Sequence, residues 1–501
     1  MKGPYTNGTT GILRANSYQS ITVTDPNLIK QNIAKVNIGN IFKIDNKKVV
    51  LTCYHCIRNT NNGILLLEDG QAEGHQCPTI LCAAPELELG VLSLNEPENI
   101  RVSINHNYNT ISDLHFPLNE FITGKTVFTI ETFDIDAYIK TGILTKIDMD
   151  CTFFDISFTS HISFNMPQIP FIRVSLNNKY HDISDLSGIS GSPVRDKDGR
   201  MIGLLSSVCI DTYVYIVPAI SINLVLMHYD NFSGIASLTL HTSPCAFDKG
   251  ELKSNLINGL LINNTYGQKG SLSKNDVIVE INGQSLNENC KVFDPKLKIY
   301  VNYDIYIALN YLNGEQLPLK IARPKKKAVT NYKEKDIIVT LKSLDSMKYV
   351  PIKFNEKTYE FGQMTFIELT EDLINDFSDQ GFYVFNSVKD KYIDNPYRST
   401  ENFIVILLNI NKEGLSYPVK KMINNIGLPL VPNRTGSQYS LTIVKKINGH
   451  PVNCLNDLIK YSYNTLPNSE ISINVSIESD SYGKLTINVK DNIMSNIIVN
   501  K

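Results

Sequence analysis

The sequence predicts a mainly β protein in which a β-barrel or sandwich is followed by smaller α+β modules. Three observations predict this class. The chain has 501 residues, more than one hydrophobic core usually organises. Short β-branched runs separated by turn formers recur over residues 18–235, as in barrels and sandwiches. A strand ending at Asn-Gly occurs twice in the second half, which indicates a repeated module.

The first region consists almost entirely of strand patterns. No helical periodicity of similar strength competes with them before a helix that we predict over residues 220–229. Turn formers such as Asn61-Asn62-Gly63 and Asp198-Gly199 separate the strands. The predicted strands include residues 20–23, 49–51, 91–94, 126–130, 171–174 and 201–205.

The second region, from about residue 236, contains two similar strand and turn patterns. Residues 276–281, Asp-Val-Ile-Val-Glu-Ile, form a predicted strand that stops at the turn Asn282-Gly283. Residues 441–447 repeat this pattern, and a short helix is predicted after them, over 455–461. The lysine-rich run 323–327 is typical of a solvated linker. We therefore predict three domains, over residues 1–235, 236–333 and 334–501.

Composition excludes several classes of protein. With 42% hydrophobic and 20% charged residues the chain is folded rather than disordered. The net charge of −2 excludes a broadly basic nucleic-acid binder, and no apolar run is long enough to predict a membrane span. Nine cysteines without an apolar secretory segment predict reduced thiols and an intracellular, cytoplasmic location. The absence of Trp beside 25 Tyr is typical of AT-rich genomes, including large DNA viruses, for which host cytoplasm or virion is expected.

Three segments of the first region carry residues that can do chemistry together: His55, the pair Glu86 and Glu88, and Ser190. A serine hydroxyl needs an adjacent base, and histidine suits that role near neutral pH. A carboxylate on the other ring nitrogen fixes the tautomer. Glycines beside the serine let backbone N–H groups point at a developing oxyanion. The combination predicts acyl transfer without a metal or other cofactor.

The order of histidine, acid and serine resembles that of the trypsin-like serine peptidases. Residues 52–56, Thr-Cys-Tyr-His-Cys, are similar to the family's Thr-Ala-Ala-His-Cys motif, and residues 188–193 are similar to Gly-Asp/Asn-Ser-Gly-Gly-Pro. The resemblance implies a chymotrypsin-like double β-barrel with His55 as general base and Ser190 as nucleophile. It also implies an oxyanion hole formed by the backbone N–H groups of Gly188 and Ser190.

The acid is the least typical member of the pattern. The family has Asp before an apolar strand, whereas this chain has Glu88, which is one methylene longer. Triads that contain Glu exist on other folds. We take Glu88 as the third member, with Glu86 as the alternative acid and a degraded, inactive site as the third alternative.

The second region resembles PDZ domains. Residues 259–262 and 270–283 are similar to the pattern Gly-Val-Leu-Val followed by Gly-Asp-Val-Ile-x-x-Ile-Asn-Gly. Residues 293–295, 361–370 and 444–452 are similar to the plant and fungal Deg branch, whose second PDZ domain is unusual. A trypsin-like domain followed by two PDZ domains is the HtrA/Deg architecture. The resemblance implies an ATP-independent serine endopeptidase that cleaves unfolded or exposed polypeptide segments and forms a trimer-based homo-oligomer.

A PDZ fold binds a peptide C-terminus as an added strand, with backbone amides around the carboxylate. The corresponding loop would lie near residues 237–240, but the usual Gly-Leu-Gly-Phe is absent. Peptide binding is therefore a fold analogy. This departure and Glu88 together motivate the alternative function, an inactive peptidase-fold scaffold that binds partners through PDZ surfaces.

Four cysteines near His55 have a spacing that would also suit zinc, with His75 close by. They are Cys53, Cys56, Cys77 and Cys82. Two of them flank the proposed base, and the resembling family has no metal there. We therefore expect free buried thiols, with a disulfide or a zinc site as the alternatives.

Substrate preference is governed in trypsin-like enzymes by a position six residues before the nucleophile. This chain has Ser184 at that position. A serine supplies no buried negative charge, so strict cleavage after Lys or Arg is not expected and small or medium apolar residues are preferred. A shift of the loop by one residue would instead present Asp185.

Overall fold

The computed structural model describes residues 10–15, 35–45, 47–57, 65–67, 75–76, 79–94, 109–116, 127–134, 145–159, 169–176, 188–208, 213–248, 256–265, 271–324, 332–343, 358–361, 363–379, 404–413, 417, 420–421, 430–432, 439–463, 470–477, 481–488 and 493–500. Two compact units are formed. The first comprises Met1–Ser17, Ile33–Ile162 and Met166–Leu344, and the second comprises Tyr18–Asn32, Ser163–Asn165 and Asp345–Lys501. None of the helices within these ranges is long and apolar enough to cross a membrane.

The first unit begins with a seven-stranded antiparallel sheet in the order β5-β4-β1-β2-β3-β7-β6. Its strands are β1 (Thr10–Ala15), β2 (Lys35–Ile44), β3 (Lys47–Cys53), β4 (Leu65–Leu67), β5 (His75–Gln76), β6 (Ile80–Ala84) and β7 (Leu89–Ser93). Helix α1 (Tyr54–Ile57) follows β3, and 3₁₀ turns cover Pro85–Leu87 and Ile111–Asp113. The last five residues of β3 carry no charge and are all buried, so this strand lies inside the unit.

A closed six-stranded barrel follows, in the order β10-β13-β12-β11-β8-β9. Its strands are β8 (Val127–Phe133), β9 (Lys146–Thr159), β10 (Ile169–Leu176), β11 (Pro193–Arg195), β12 (Met201–Val208) and β13 (Tyr213–Pro218). Helix α2 (Ala219–His228) comes directly after it, as predicted. The predicted class, mainly β with a chymotrypsin-like pair of sheets followed by further β-rich modules, is confirmed. The predicted strand at 20–23 and the turn at 61–63 lie outside the described residues.

The rest of the first unit is an α+β module. Its elements are β14 (Ala236–Ser237), β15 (Leu240–Asp248), β16 (Leu256–Thr265), β17 (Val277–Ile281), β18 (Gln284–Ser285), β19 (Val292–Asp294), β20 (Ile299–Val301), α3 (Tyr303–Asn310), β21 (Gln316–Pro324), β22 (Tyr332–Thr340) and β23 (Lys342–Ser343). The main sheet has the order β15-β16-β17-β21-β22. Helix α3 contacts α2, and its Ala308 belongs to the hydrophobic core of the first sheet.

The predicted Asn-Gly turn joins β17 to β18. Asn282 and Gly283 have φ values of 52° and 74°, which two-residue hairpins require at both positions. Asp276, just before β17, is 1% exposed and is paired with Arg323 at 2.8 and 2.7 Å. Its carboxylate also accepts the N–H of Ser273 at 2.8 Å, which fixes the loop before the strand.

The second predicted domain boundary, after residue 333, falls inside β22. This strand pairs with β21 along its whole length, from Gln316–Thr340 to Pro324–Tyr332. The lysines of the run, residues 325–327, lie outside the described residues, between the end of β21 and the start of β22. The compact unit ends later, at Leu344. At the first predicted boundary the hydrophobic core changes, because Ile235 packs with the first sheet and Ala236 with the α+β module.

The second unit is built on a nine-stranded sheet with the path β24-β25-β26-β28-β30-β31-β32. Its elements are β24 (Thr358–Phe361), β25 (Met364–Glu368), α4 (Glu371–Asp379), β26 (Val405–Ile410), β27 (Leu430–Pro432), β28 (Tyr439–Ile447), β29 (His450–Pro451), α5 (Leu455–Tyr463), β30 (Glu470–Ile477), β31 (Ser481–Asn488) and β32 (Ile493–Asn500). Asn448 and Gly449 join β28 to β29 with φ values of 48° and 83°. The strand with its Asn-Gly hairpin therefore occurs in both units, as the sequence repeat predicted, and the helix predicted after the second copy is α5.

Candidate active site

His55 lies in the short helical turn α1 that follows β3. Cys53, the last residue of β3, is paired with Leu89, the first residue of β7. The N–H of Tyr54 then donates to the carbonyl of Glu88 at 3.1 Å. The end of one strand and the start of its neighbour thus bring His55 beside Glu88, although 33 positions separate them in the chain.

Glu88 ends the 3₁₀ turn Pro85–Leu87 with a left-handed backbone, φ 58° and ψ 34°. Its carboxylate Oε1 accepts the backbone N–H of His55 at 3.1 Å and also contacts the ring Nδ1 of His55. The Glu88 side chain is 7% exposed, whereas the His55 ring is 33% exposed. A buried carboxylate therefore holds one ring nitrogen of a histidine whose other edge is accessible.

The surroundings of His55 shift its pKa. Burial by itself disfavours the imidazolium, but the neighbouring Cys56 and Glu88 outweigh burial and raise the pKa of His55 well above its ordinary value. For Cys56, burial likewise disfavours the charged thiolate. Hydrogen bonds from Cys53 and His55 and the charge of His55 reverse this and lower the pKa of Cys56 to about 5.

Ser190 lies in a tight loop before β11. Gly188 and Gly191 have φ values of 88° and 90°, in the region that favours glycine. The N–H of Gly191 donates to the carbonyl of Leu205 at 2.7 Å, and the N–H of Ser192 donates to Ile189 at 3.1 Å. In the described part of the chain nothing accepts from the N–H groups of Gly188 or Ser190, the pair predicted to form an oxyanion hole.

Strand β2 of the first sheet supports this loop from behind. The N–H of Ile38 donates to the Ser190 carbonyl at 3.0 Å, and the buried side-chain amide of Asn40 donates to the Gly191 carbonyl at 2.8 Å. The carbonyl of Ile38 in turn accepts the Thr52 hydroxyl at 2.6 Å. A Cβ on Gly191 would overlap the Ile38 carbonyl oxygen and lie 2.8 Å from the Thr52 hydroxyl. Sequence analysis missed Asn40 and named Thr52 only as part of the histidine motif. The available signal for both was a polar residue in an otherwise apolar strand.

The thiol of Cys56 lies between the proposed base and the proposed nucleophile. Its Sγ is 3.7 Å from Nε2 of His55 and 3.8 Å from the carbonyl oxygen of Ser190. The Ser190 hydroxyl does not donate to His55 in this arrangement and instead donates to the carbonyl of Ser206 at 2.9 Å. The segments that carry His55 and Ser190 are thus adjacent, and the Cys56 thiol lies at Nε2 of His55, the nitrogen to which a serine nucleophile would give its proton. Sequence analysis predicted Cys56 to be a free buried thiol, which it is, but gave it no part in catalysis.

The other candidate residues lie elsewhere. The Glu86 carboxylate is buried beside Gly234 and not against the His55 ring. Ser184, Asp185 and Cys77 lie outside the described residues. Cys53, Cys56 and Cys82 are buried free thiols, and the part of the chain with described coordinates contains no group of three or more ligand side chains suited to a metal ion.

The loop predicted to bind a peptide carboxylate joins β14 to β15. Thr239 is left-handed with φ 52°, and its N–H donates to the Ser237 hydroxyl at 3.0 Å. The hydroxyl of Tyr303, the first residue of α3, donates to the Leu240 carbonyl at 3.4 Å. A side chain of the module itself therefore contacts the first residue of the edge strand β15.

Comparisons with known proteins give structural similarities only. No protein-family model and no curated protein matches the chain. One similar solved structure is "HtrA-type protease AlgW with tripeptide", at 13% identity and a TM-score of 0.43, covering 67% of this chain and 93% of that one. Another is the serine endoprotease from Yersinia pestis, at 12% identity and a TM-score of 0.39, covering 67% of this chain and 94% of that one. The active form of the Rv3671c protease from M. tuberculosis is similar at 13% identity and a TM-score of 0.31, covering 44% of this chain and 81% of that one. With TM-scores below 0.5, these similarities carry no argument about the activity of this chain.

Proposed function

We propose that this chain is an ATP-independent serine endopeptidase of HtrA/Deg type, with His55, Glu88 and Ser190 as its catalytic residues. One observation carries the proposal. The buried Glu88 carboxylate holds Nδ1 of His55, while Nε2 lies against the Cys56 thiol, which also contacts the backbone of Ser190. The substrate class is a polypeptide, in exposed or unfolded segments, and the trimer-based assembly stays a prediction.

The chemistry follows from these positions. His55 Nε2 takes the proton of the Ser190 hydroxyl as Oγ attacks the scissile carbonyl carbon. The N–H groups of Gly188 and Ser190 donate to the resulting oxyanion. Imidazolium at His55, stabilised by Glu88, then gives its proton to the leaving amine, and water hydrolyses the acyl-enzyme by the same route. Before attack the Ser190 hydroxyl must leave the Ser206 carbonyl and donate to Nε2 instead.

The second candidate function is a peptidase-fold scaffold without activity. It is favoured by the same Ser190–Ser206 hydrogen bond, since a hydroxyl that stays on this carbonyl cannot give its proton to His55. The hydrogen bond from Tyr303 to the Leu240 carbonyl lies where a bound peptide would begin to pair with the edge strand β15, so it competes with peptide binding there. A scaffold would then bind its partners through other surfaces of the module.

The experiment is labelling of the full-length chain with a fluorophosphonate, combined with cleavage of denatured casein. We expect the wild type to be labelled at Ser190 and Ser190→Ala to be unlabelled and inactive. Ser285→Ala, which removes an exposed hydroxyl in β18, is the matched control and should behave as wild type. Equal labelling of the Ser190→Ala variant would refute Ser190 as nucleophile. A folded wild type that is neither labelled nor active between pH 5 and 9 would favour the scaffold.

A further inference from the structure

The proposed base lies inside a Cys-x-x-Cys segment, and both of its cysteines are in contact with the site. Cys53 and Cys56 are reduced and buried. The Sγ of Cys53 donates to the Leu205 carbonyl at 3.2 Å, and Leu205 also accepts the N–H of Gly191. The Sγ of Cys56 lies 3.7 Å from Nε2 of His55 and 3.8 Å from the carbonyl oxygen of Ser190. The two thiols are thus three positions apart in the chain and both lie at the Ser190 loop, and each shifts the pKa of the other, as neighbouring thiols do.

The two thiols have different electrostatic surroundings. Burial, with further contributions from Cys56 and Glu88, raises the pKa of Cys53 well above its ordinary value. Burial also disfavours the thiolate of Cys56, but the neighbouring Cys53 and the imidazole of His55, whose Nε2 is 3.7 Å away, outweigh burial and lower the pKa of Cys56. Thiolates are the nucleophilic form of cysteine, so the two residues are suited to different steps, Cys56 to attack and Cys53 to resolve. Cys151, buried beside Asp150, has its pKa raised and serves as a contrast within the same unit.

We propose that Cys53 and Cys56 form a reversible oxidation site whose redox state controls the His55 imidazole. Hydrogen peroxide is the oxidant. The Cys56 thiolate attacks one peroxide oxygen, the O–O bond breaks, and hydroxide leaves, which gives a sulfenic acid. The Cys53 sulfur then attacks the Cys56 sulfur, and the S–O bond breaks with loss of water as the S–S bond forms. The peroxide is reduced by two electrons, and the two thiols are oxidised by two.

Oxidation changes the group that faces Nε2. In the reduced chain a thiolate at Cys56 holds a proton on His55, and a protonated imidazole cannot accept the Ser190 proton. A disulfide carries no charge and has no S–H, so the pKa of His55 falls when the disulfide forms. At a given pH more of the imidazole is then neutral, and its Nε2 is available to accept the Ser190 proton. This consequence depends on the proposed peptidase function, whereas the disulfide itself does not.

The test begins with chemistry that needs no catalysis. Peroxide treatment of the full-length chain should lower the mass of the peptide that contains Cys53 and Cys56 by about 2 Da, and dithiothreitol should restore it. In Cys53→Ala the reaction should stop at a sulfenic acid that dimedone traps at Cys56. Cys151→Ala is the matched control and should form the disulfide as the wild type does. Failure of the wild type to lose this mass, or a loss that dithiothreitol does not reverse, would overturn the site.

Fluorophosphonate labelling then tests the control of His55. At pH 7 we expect the oxidised wild type to be labelled faster than the reduced form, by up to about tenfold, which is the change that one unit of pKa gives. Cys56→Ala should be labelled at the faster rate and should not respond to peroxide. Equal rates for oxidised and reduced wild type, with the disulfide confirmed by mass, would overturn this control. A chain never labelled under any condition would contradict the proposed function and leave the mass test intact.

Discussion

Replacement of Gly191 by alanine tests the backbone support of the Ser190 loop. Gly191 has φ 90°, and a Cβ there would overlap the carbonyl oxygen of Ile38. That carbonyl cannot move away easily, because it accepts the Thr52 hydroxyl at 2.6 Å while the Ile38 N–H donates to Ser190. The variant must therefore shift the loop as well as strain its own backbone.

The magnitude follows from these two costs. A left-handed conformation costs an alanine about 1–2 kcal/mol relative to glycine. Displacing the loop leaves buried polar groups without partners, at about 1–3 kcal/mol for each group. We expect Gly191→Ala to lower the free energy of unfolding of the first unit by about 3–5 kcal/mol. Gly283→Ala is the matched control, since Gly283 has φ 74° and nothing within 4 Å of its Cβ position, so that only the backbone cost applies.

The two variants can be compared by thermal unfolding of the full-length chain, followed by far-ultraviolet circular dichroism because the chain has no Trp. A difference of about 2–3 kcal/mol between them corresponds to roughly 3–4 °C in the transition midpoint for a unit of more than 300 residues. Fluorophosphonate labelling should fall at least about 100-fold in Gly191→Ala and stay at the wild-type level in Gly283→Ala. Equal midpoints for the two variants would refute the close approach of Gly191 to Ile38.

Three further predictions concern contacts of single side chains. In Glu88→Gln the imidazole loses its charged partner, so the pKa of His55 falls. In a plot of kcat/KM against pH, the acid limb should therefore move to lower pH and the plateau should drop by about 10²–10⁴-fold. An acid limb that does not move would exclude Glu88 as the partner of His55. Asn40→Ala should lower kcat with little change in KM, since the Gly191 carbonyl loses its donor, and a changed KM alone would contradict a positioning role. Arg323→Met should lower the free energy of unfolding of the first unit, measured in urea, by about 2–3 kcal/mol, because it leaves the buried Asp276 carboxylate without its ion-pair partner. The double variant Arg323→Met/Asp276→Asn should regain part of that stability. If the two single losses simply add in the double variant, the ion pair is contradicted.

Much of the site could be predicted from the sequence because its residues lie at strand ends. The apolar run before His55 and the strand after Glu88 pair in the structure, and that pairing brings the two side chains together. The choice of Glu88 over Glu86 could not be made by spacing alone. It depends on the left-handed backbone of Glu88 after the 3₁₀ turn, which directs its carboxylate to His55 while Glu86 is buried beside Gly234.

Other features depend on tertiary contacts that a single sequence does not reveal. Cys56 was predicted to be a buried thiol, and it is, but its position against His55 and Ser190 follows from how the two sheets meet. The Ser190 hydroxyl could equally have donated to His55, and only the packing of β12 offers it the Ser206 carbonyl. The predicted boundary after residue 333 lies within β22, which pairs with β21, and polarity alone does not distinguish a linker from a connection between paired strands.

The packing of α3 has a mechanical consequence. Ala308 is part of the core that stabilises the first sheet, and the other face of the helix fills the core of the α+β module, where Ile305 and Leu309 are buried. A helix shared by two cores cannot swing on a flexible tether. Detaching the module would therefore expose apolar surface to water on both sides of the cut.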